Sequence, residues 1–168
     1  MIEIKKWNIK SILTEILIAS VLLFVLSNII SYIRQPELGS TQLPQTEVQL
    51  IDGSTFQVEK GKPLVIHFWA TSCPACKLEA PNIETVSKKY DVLSIAVNSG
   101  SNEKVKSYMQ QNGLHFNVFN DVDGAWATEF NIEVYPTTFI YDAKGKLRFT
   151  DVGYTTTAGL LARLEWIE

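Results

Sequence analysis

Phe68-Trp69-Ala70-Thr71-Ser72-Cys73-Pro74-Ala75-Cys76-Lys77 contains the only two cysteines of a 168-residue chain. Before it, Leu64-Val65-Ile66-His67-Phe68-Trp69 is an apolar, β-branched run that reads as a buried strand. After it, Ala80, Ile83, Val86 and Tyr90 recur at spacings of three and four, which predicts a helix to about Lys89. The cysteine pair therefore occupies a strand-to-helix turn. A helix N-terminus offers unpaired N–H groups and a positive dipole end, and both favour a thiolate over a thiol. A cysteine so placed in a Cys-x-x-Cys motif has its pKa lowered to roughly 3.5–7.5. Pro74 suits the first helical turn, where its missing N–H is no loss, although it also removes a donor that would serve the sulfur. The chemistry this setting favours is thiol–disulfide exchange, with Cys73 attacking from the helix tip and Cys76, one turn further in, resolving the mixed disulfide.

Two plainer readings of the pair stay open at this point. One is a structural disulfide, although so short a loop constrains the unfolded chain little. The other is a zinc half-site. Zinc takes four N or S ligands, and beyond the cysteines the chain offers only His67 and His115, outside any zinc spacing.

The composition, 46% hydrophobic and 20% charged, suits one globular domain with a hydrophobic appendage. Residues 16–33 are almost all apolar and none is charged. As a helix they span about 27 Å, close to the roughly 30 Å hydrocarbon core of a bilayer. Lys5, Lys6 and Lys10 precede this stretch and Arg34 follows it. The positive-inside rule then predicts a single-pass anchor in the cytoplasmic membrane, with residues 1–15 cytoplasmic and the rest in the periplasm or its equivalent. A cleaved signal peptide is the rival reading, but it has a shorter apolar core, and here apolar character continues through Ile29, Ile30 and Ile33. Both readings put the domain in an oxidising compartment. Residues 34–45 contain Pro36, Gly39, Ser40 and Pro44 and read as a tether, with the folded domain at 46–168. With Glu3, Glu15, Lys5, Lys6, Lys10 and Arg34 set aside, the chain keeps 16 acidic against 11 basic residues, a net of −5. A nucleic-acid partner is excluded on that balance.

Along the domain, Glu47–Ile51 and Thr55–Val58 flank Asp52-Gly53 and read as a β-hairpin. The helix after the cysteines contains Pro81, which removes one backbone bond and predicts a bend. Val92–Val97 reads as a second buried strand, Ser101–Asn112 as a helix stopped by Gly113, and Phe116–Phe119 as a short strand. Asp121-Val122-Asp123-Gly124 reads as a turn before a short helix ending near Phe130. Thr137–Tyr141 and Leu147–Val152 are predicted strands joined by a Gly-containing loop. Thr155-Thr156-Thr157 caps a last helix with Leu160, Leu161, Leu164 and Ile167 on one face. The sum is an α/β domain, a mixed sheet with helices on both faces.

That order, with Trp69-Ala70-x-x-Cys73-x-x-Cys76, Pro81 and Tyr135-Pro136-Thr137-Thr138-Phe139, resembles the thioredoxin superfamily over residues from about 44 to 168. Within it the chain is similar to the TlpA/ResA-like branch of membrane-tethered extracytoplasmic proteins. The predicted anchor, a helix-strand insert at about 101–119, and the run from Asp123-Gly124 through Phe130 and Pro136 to Gly145 carry that likeness. The nearest subgroup by resemblance is the suppressor-of-copper-sensitivity D-type disulfide oxidoreductases. The resemblance implies a thioredoxin fold with an N-terminal β-hairpin, a cis Pro136 facing the cysteines, and a Tyr135 backbone that receives a substrate chain as a short added strand. It implies that Trp69, Pro74, Tyr135 and Pro136 bind substrate. Glu79 stands where cytochrome c maturation reductases carry an acid, one helical turn from Cys76, and would exchange protons with that thiol. A solvated surface glutamate is the plainer reading. His67 stands where thioredoxin has a buried Asp. An imidazole there would shuttle a proton to Cys76, titrating nearer neutrality, whereas a packed core histidine is the plainer reading. Ser72, Val134 and the Pro74-Ala75 dipeptide depart from the family pattern.

The function so implied is a membrane-anchored thiol:disulfide oxidoreductase acting on extracytoplasmic protein thiols and disulfides, leaning towards a reductase of cytochrome c maturation or copper tolerance. The redox-active Cys73–Cys76 pair carries the electrons, with no further cofactor and no metal. A membrane redox partner re-reduces or re-oxidises the pair. A disulfide-forming oxidase, a Cu(I)-binding module on the same thiolates and a peroxide reductase using Cys73 are the alternatives.

Overall fold

A computed structural model describes residues 9–33, 47–59 and 61–168 of the chain. It divides into two compact units, Met1–Arg34 and Gln35–Glu168. Residues 1–8 and the expected tether at 34–45 lie outside the described residues.

The first unit contains α1, Ile9–Ile33. Its described side chains are largely apolar and stay exposed, among them Leu17, Leu22, Leu23 and Phe24. Ser20 donates its hydroxyl to the Ile16 carbonyl at 2.8 Å, so this polar group is satisfied within the helix. The unbroken run of described side chains, Ile12 to Leu26, covers about 22 Å. Among the described residues no helix is long and apolar enough to cross a membrane.

The second unit opens on a hairpin, β1 at Glu47–Gln49 and β2 at Thr55–Gln57, paired antiparallel. Its turn is closed by Asp52, whose carboxylate accepts the Ser54 N–H at 2.9 Å, with Gly53 at a φ of 91° that only glycine adopts freely. There follow β3 (Leu64–Trp69), α2 (Pro74–Ser87), β4 (Asp91–Val97), α3 (Asn102–Gln111), β5 (Val118–Asp121), α4 (Ala125–Glu129), β6 (Thr137–Tyr141), β7 (Leu147–Val152) and α5 (Thr157–Ile167). The five later strands form one sheet in the order β5-β4-β3-β6-β7. Strand β4 runs parallel to both β3 and β5, whereas β6 is antiparallel to β3 and to β7.

Every residue of β3 is buried, as an apolar run in a central parallel strand requires. Its alternation supplies two cores. Leu64, Ile66 and Phe68 pack with Val48, Leu50, Ala127 and Phe130 on the hairpin and α4 side. Val65 and Trp69 pack with Cys76, Ile83, Val86, Val105, Leu160 and Leu164, contributed by α2, α3 and α5. The expected thioredoxin fold, with its hairpin and its helix-strand insert, is the fold observed.

Three local expectations shift. The helix after the cysteines continues through Pro81 but ends at Ser87, because the Val86 carbonyl takes the N–H groups of both Lys89 and Tyr90. Tyr90 is buried beyond the helix rather than on it. The strand placed at 116–119 lies at Val118–Asp121, since its parallel register against β4 pairs Ser94 with Val118 and Val97 with Asp121. Asp121 thus ends a strand instead of starting a turn, and its carboxylate accepts the N–H groups of Trp126 at 3.1 Å and Ala127 at 2.9 Å, holding the start of α4.

Ile83 is fully buried where α2 meets the sheet. Ile83→Ala should lower unfolding stability by about 2–5 kcal/mol, because the cavity it leaves is lined by strand residues that cannot close over it. Urea denaturation of the oxidised protein measures this directly.

Candidate active site

Strand β3 delivers the chain to its own C-terminal end at the middle of the sheet, and Ala70-Thr71-Ser72 turns it into α2. Two backbone bonds hold that turn: Cys73 donates its N–H to Ala70 at 3.1 Å, and Thr71 donates to the Ser99 hydroxyl beyond β4 at 3.0 Å. Cys73 becomes the N-cap of α2, in extended backbone, with Pro74 next to it in the first turn. Its Sγ accepts the N–H of Cys76 at 3.1 Å. A sulfur therefore occupies the place usually taken by a capping oxygen, facing an unpaired donor at the positive end of the helix.

Cys73 and Cys76 are joined in a disulfide, with Cα atoms 5.3 Å apart. Cys73 is partly exposed and Cys76 is buried, so one sulfur meets solvent and the other lies beneath it. The Tyr135–Pro136 bond is cis, as the resemblance implies, and the Tyr135 carbonyl lies 3.7 Å from Cys73 Sγ. Pro136 is itself buried, and its carbonyl accepts the Gly153 N–H at 2.8 Å, which ties the loop before β6 to the end of β7. Pro74 is exposed beside the disulfide.

Trp69, expected to touch substrate, is instead only 3% exposed. Its indole N–H donates to the Ser94 hydroxyl, and its ring lies against Tyr108 and Phe116. It supports the site from within the core rather than lining the rim.

His67 is buried too, with Nδ1 3.0 Å from the Thr138 hydroxyl, its register partner on β6. Burial pushes its pKa down to about 3, so the ring is neutral over the physiological range. The expectation of an imidazole titrating near neutrality is corrected by this burial.

Glu79 is not the solvated surface residue of the plainer reading, because it is fully buried on α2, one turn beyond Cys76. Oε1 accepts the Thr155 N–H at 3.1 Å, whereas Oε2 has no hydrogen-bond partner among the described residues. Burial raises its pKa to about 8 against the lowering effect of the Thr155 bond, and the charge of Asp151 adds to the rise. The group is protonated at neutral pH. Asp151, Arg163 and Thr155 are the polar neighbours that sequence reasoning missed. Asp151 shares its strand face with Phe149, two residues earlier, and an acid at a core position of a predicted strand was the available signal. Among the described residues no three of His, Cys, Asp and Glu gather as a metal would require.

A half-exposed sulfur at a helix N-terminus, a buried partner sulfur and a cis-proline loop against the first define a thiol–disulfide oxidoreductase with the thioredoxin fold. The chain belongs to the AhpC/TSA family, whose model matches residues 38–150. It is 32% identical over 165 residues to a thioredoxin-like protein of Haemophilus influenzae, covering 96% of this chain and 98% of that one. It is 29% identical over 143 residues to the sporulation thiol-disulfide oxidoreductase A of Bacillus subtilis, covering 80% and 82%. Among solved structures, a secreted Mycobacterium tuberculosis disulfide oxidoreductase homologous to Escherichia coli DsbE matches with a TM-score of 0.63 at 25% identity, over 73% of this chain and 96% of that one. These relatives agree with the TlpA/ResA-like branch.

Because burial lifts Glu79 from 4.5 to about 8, the native state binds more protons than the unfolded chain between those values. Its contribution to stability is full below the lower value and is lost as pH rises through the upper one. The oxidised protein should therefore lose stability on the order of a few kcal/mol between about pH 5 and about pH 9, and Glu79→Gln should flatten that decline. Urea midpoints across the series test both.

Proposed function

We propose that this protein is a membrane-anchored thiol–disulfide oxidoreductase that reduces disulfides of extracytoplasmic proteins. The observation that carries the reading is the placing of Cys73 Sγ, between the Cys76 N–H at 3.1 Å and the Tyr135 carbonyl at 3.7 Å, with Cys76 buried behind it. In the reduced protein the Cys73 thiolate attacks one sulfur of a substrate disulfide and expels the other as thiolate. An incoming chain held by the Tyr135-Pro136 backbone is presented in line with this sulfur. Cys76 then gives its proton to the Glu79 carboxylate and attacks Cys73 Sγ, releasing the second substrate sulfur. Two electrons pass to the substrate, and the products on the enzyme are the Cys73–Cys76 disulfide and a protonated Glu79. His67, neutral and bonded to Thr138, adds no charge of its own to this layer. A dithiol partner in the membrane reverses the sequence. Attack on Cys73 Sγ makes Cys76 the leaving thiolate, and Glu79 returns its proton to it.

The anchor reading is supported by α1, an apolar helix whose described side chains stay exposed, with Leu17 64%, Leu23 67% and Phe24 70% accessible. In the sequence Lys10 and Arg34 flank the apolar stretch, as residues at bilayer interfaces do. The secreted M. tuberculosis relative fits an extracytoplasmic domain. The full chain should remain in the membrane fraction after carbonate extraction, with the domain open to protease added from outside. Recovery in the soluble fraction would overturn the anchor.

Cys73→Ser should abolish reduction of insulin disulfides, and Cys76→Ser should accumulate mixed disulfides with substrate. A reduction potential at or below about −270 mV would fit a reductant, and one near about −120 mV would reverse the proposed direction.

A further inference from the structure

The buried acid does not stand alone. Asp151, on β7, is register partner to Thr138, which is in turn register partner to His67, so all three side chains project from the same face of the sheet, towards the layer of α2 and α5. Asp151 is 9% exposed. One oxygen, Oδ1, is paired with Arg163 of α5 at 3.0 Å, and the other, Oδ2, is buried without a hydrogen-bond partner, as is Oε2 of Glu79. The loop from β7 to α5 brings the two acids together, since Thr155, four residues after Asp151, gives its N–H to Glu79. Two carboxyls in one dry layer cannot both ionise cheaply. Among the described residues the cation in contact with them is Arg163, and it is paired with Asp151. The other titratable or redox groups on this side of the sheet are the neutral His67, Tyr90, Tyr108, Tyr135 and the disulfide sulfur of Cys76.

We propose that Asp151 and Arg163 are positioning residues for Glu79: the ion pair holds the negative charge on Asp151, and that charge keeps the proton of the acid pair on Glu79 whenever the cysteines are joined. This rests on the reading of Glu79 as the proton partner of Cys76. The oxidised enzyme is thereby loaded with one proton before it is re-reduced. When an external thiolate bonds to Cys73 Sγ and the S–S bond breaks, the electron pair goes to Cys76 and the proton moves from Glu79 to that sulfur. The pair is then doubly ionised, with Arg163 and the Thr155 N–H as its counterweights. Burial lifts the Asp151 carboxyl above its ordinary value and Arg163 opposes that rise, while burial and then the charge of Asp151 lift Glu79.

The test is a pH titration of the buried carboxyl in the oxidised full-length protein in detergent, followed by carboxyl infrared absorption. The rate at which dithiothreitol opens the disulfide is measured over the same pH range. Asp151→Asn should make the last buried carboxyl proton leave at lower pH. The pH profile of disulfide opening should move down with it. Arg163→Gln should move both upward, because two acids then share the layer with no cation, and Arg163→Lys should restore the wild-type profile. A purely structural role for the ion pair would move the Asn and Gln variants the same way, or neither, and either result overturns the proposal. Glu79→Gln should erase the titrating carboxyl. If the signal survives that substitution, the reading of Glu79 itself fails. That result is separate from a wild-type-like Asp151→Asn, which would overturn only the role of the pair.

Discussion

The site depends on a single capping interaction. Where β3 ends and α2 begins, the residue that must satisfy the first free N–H of the helix is a cysteine. The hydrogen bond that completes the helix therefore falls on a sulfur, at the end of the helix where the backbone dipole is positive. Much of the surrounding structure serves to keep the cap in register: a fully buried β3 fixes where the chain emerges, Ser99 holds the turn from the side, and Ile83, Val86 and Ala80 fasten the helix to the sheet. Pro74 adds a constraint of its own, because its ring fixes the backbone angle of the first helical residue.

Behind the cap, the layer between sheet and helices is unusually polar for a core. His67, Thr138, Asp151 and Glu79 are all buried there, alongside Ile83, Leu160 and Leu164. Each solves the cost of burial differently. His67 sheds its charge, Asp151 takes a cation, and Glu79 keeps a proton and accepts one backbone N–H. Only the last solution leaves a protonated acid, and it lies one helical turn beyond Cys76. Trp69 fits the same logic, with its ring in the apolar part and its N–H spent on Ser94.

Much of this was legible in the residues alone. The apolar run at 64–69 and the spacing of Ala80, Ile83 and Val86 were enough for strand and helix, and the cysteines between them for the chemistry. The strands at 137–141 and 147–152 appear where expected because alternation and a Gly-containing loop mark them plainly. What escaped was set by contacts distant in sequence. The register of β5 depends on β4, so its two-residue displacement and the capping role of Asp121 have no local signature. For Glu79 the residues alone leave a solvated surface acid open beside the proton-exchange role that the resemblance implies, and its burial appears only when the β7–α5 loop closes over it. Trp69, expected to bind substrate, is covered by Tyr108 and Phe116 from the insert, 39 and 47 positions further along the chain.

The segment joining β7 to α5 is gripped on both sides of one residue. Gly153 is bonded to the Pro136 carbonyl and Thr155 to the Glu79 carboxyl, while Tyr154 between them is 53% accessible and accepts the Asn82 amide N–H on its hydroxyl. The backbone at this point is therefore specified by its neighbours and not by the side chain it bears. Position 154 is a mount: a stem held on both sides, whose outward head can be exchanged without disturbing what lies underneath.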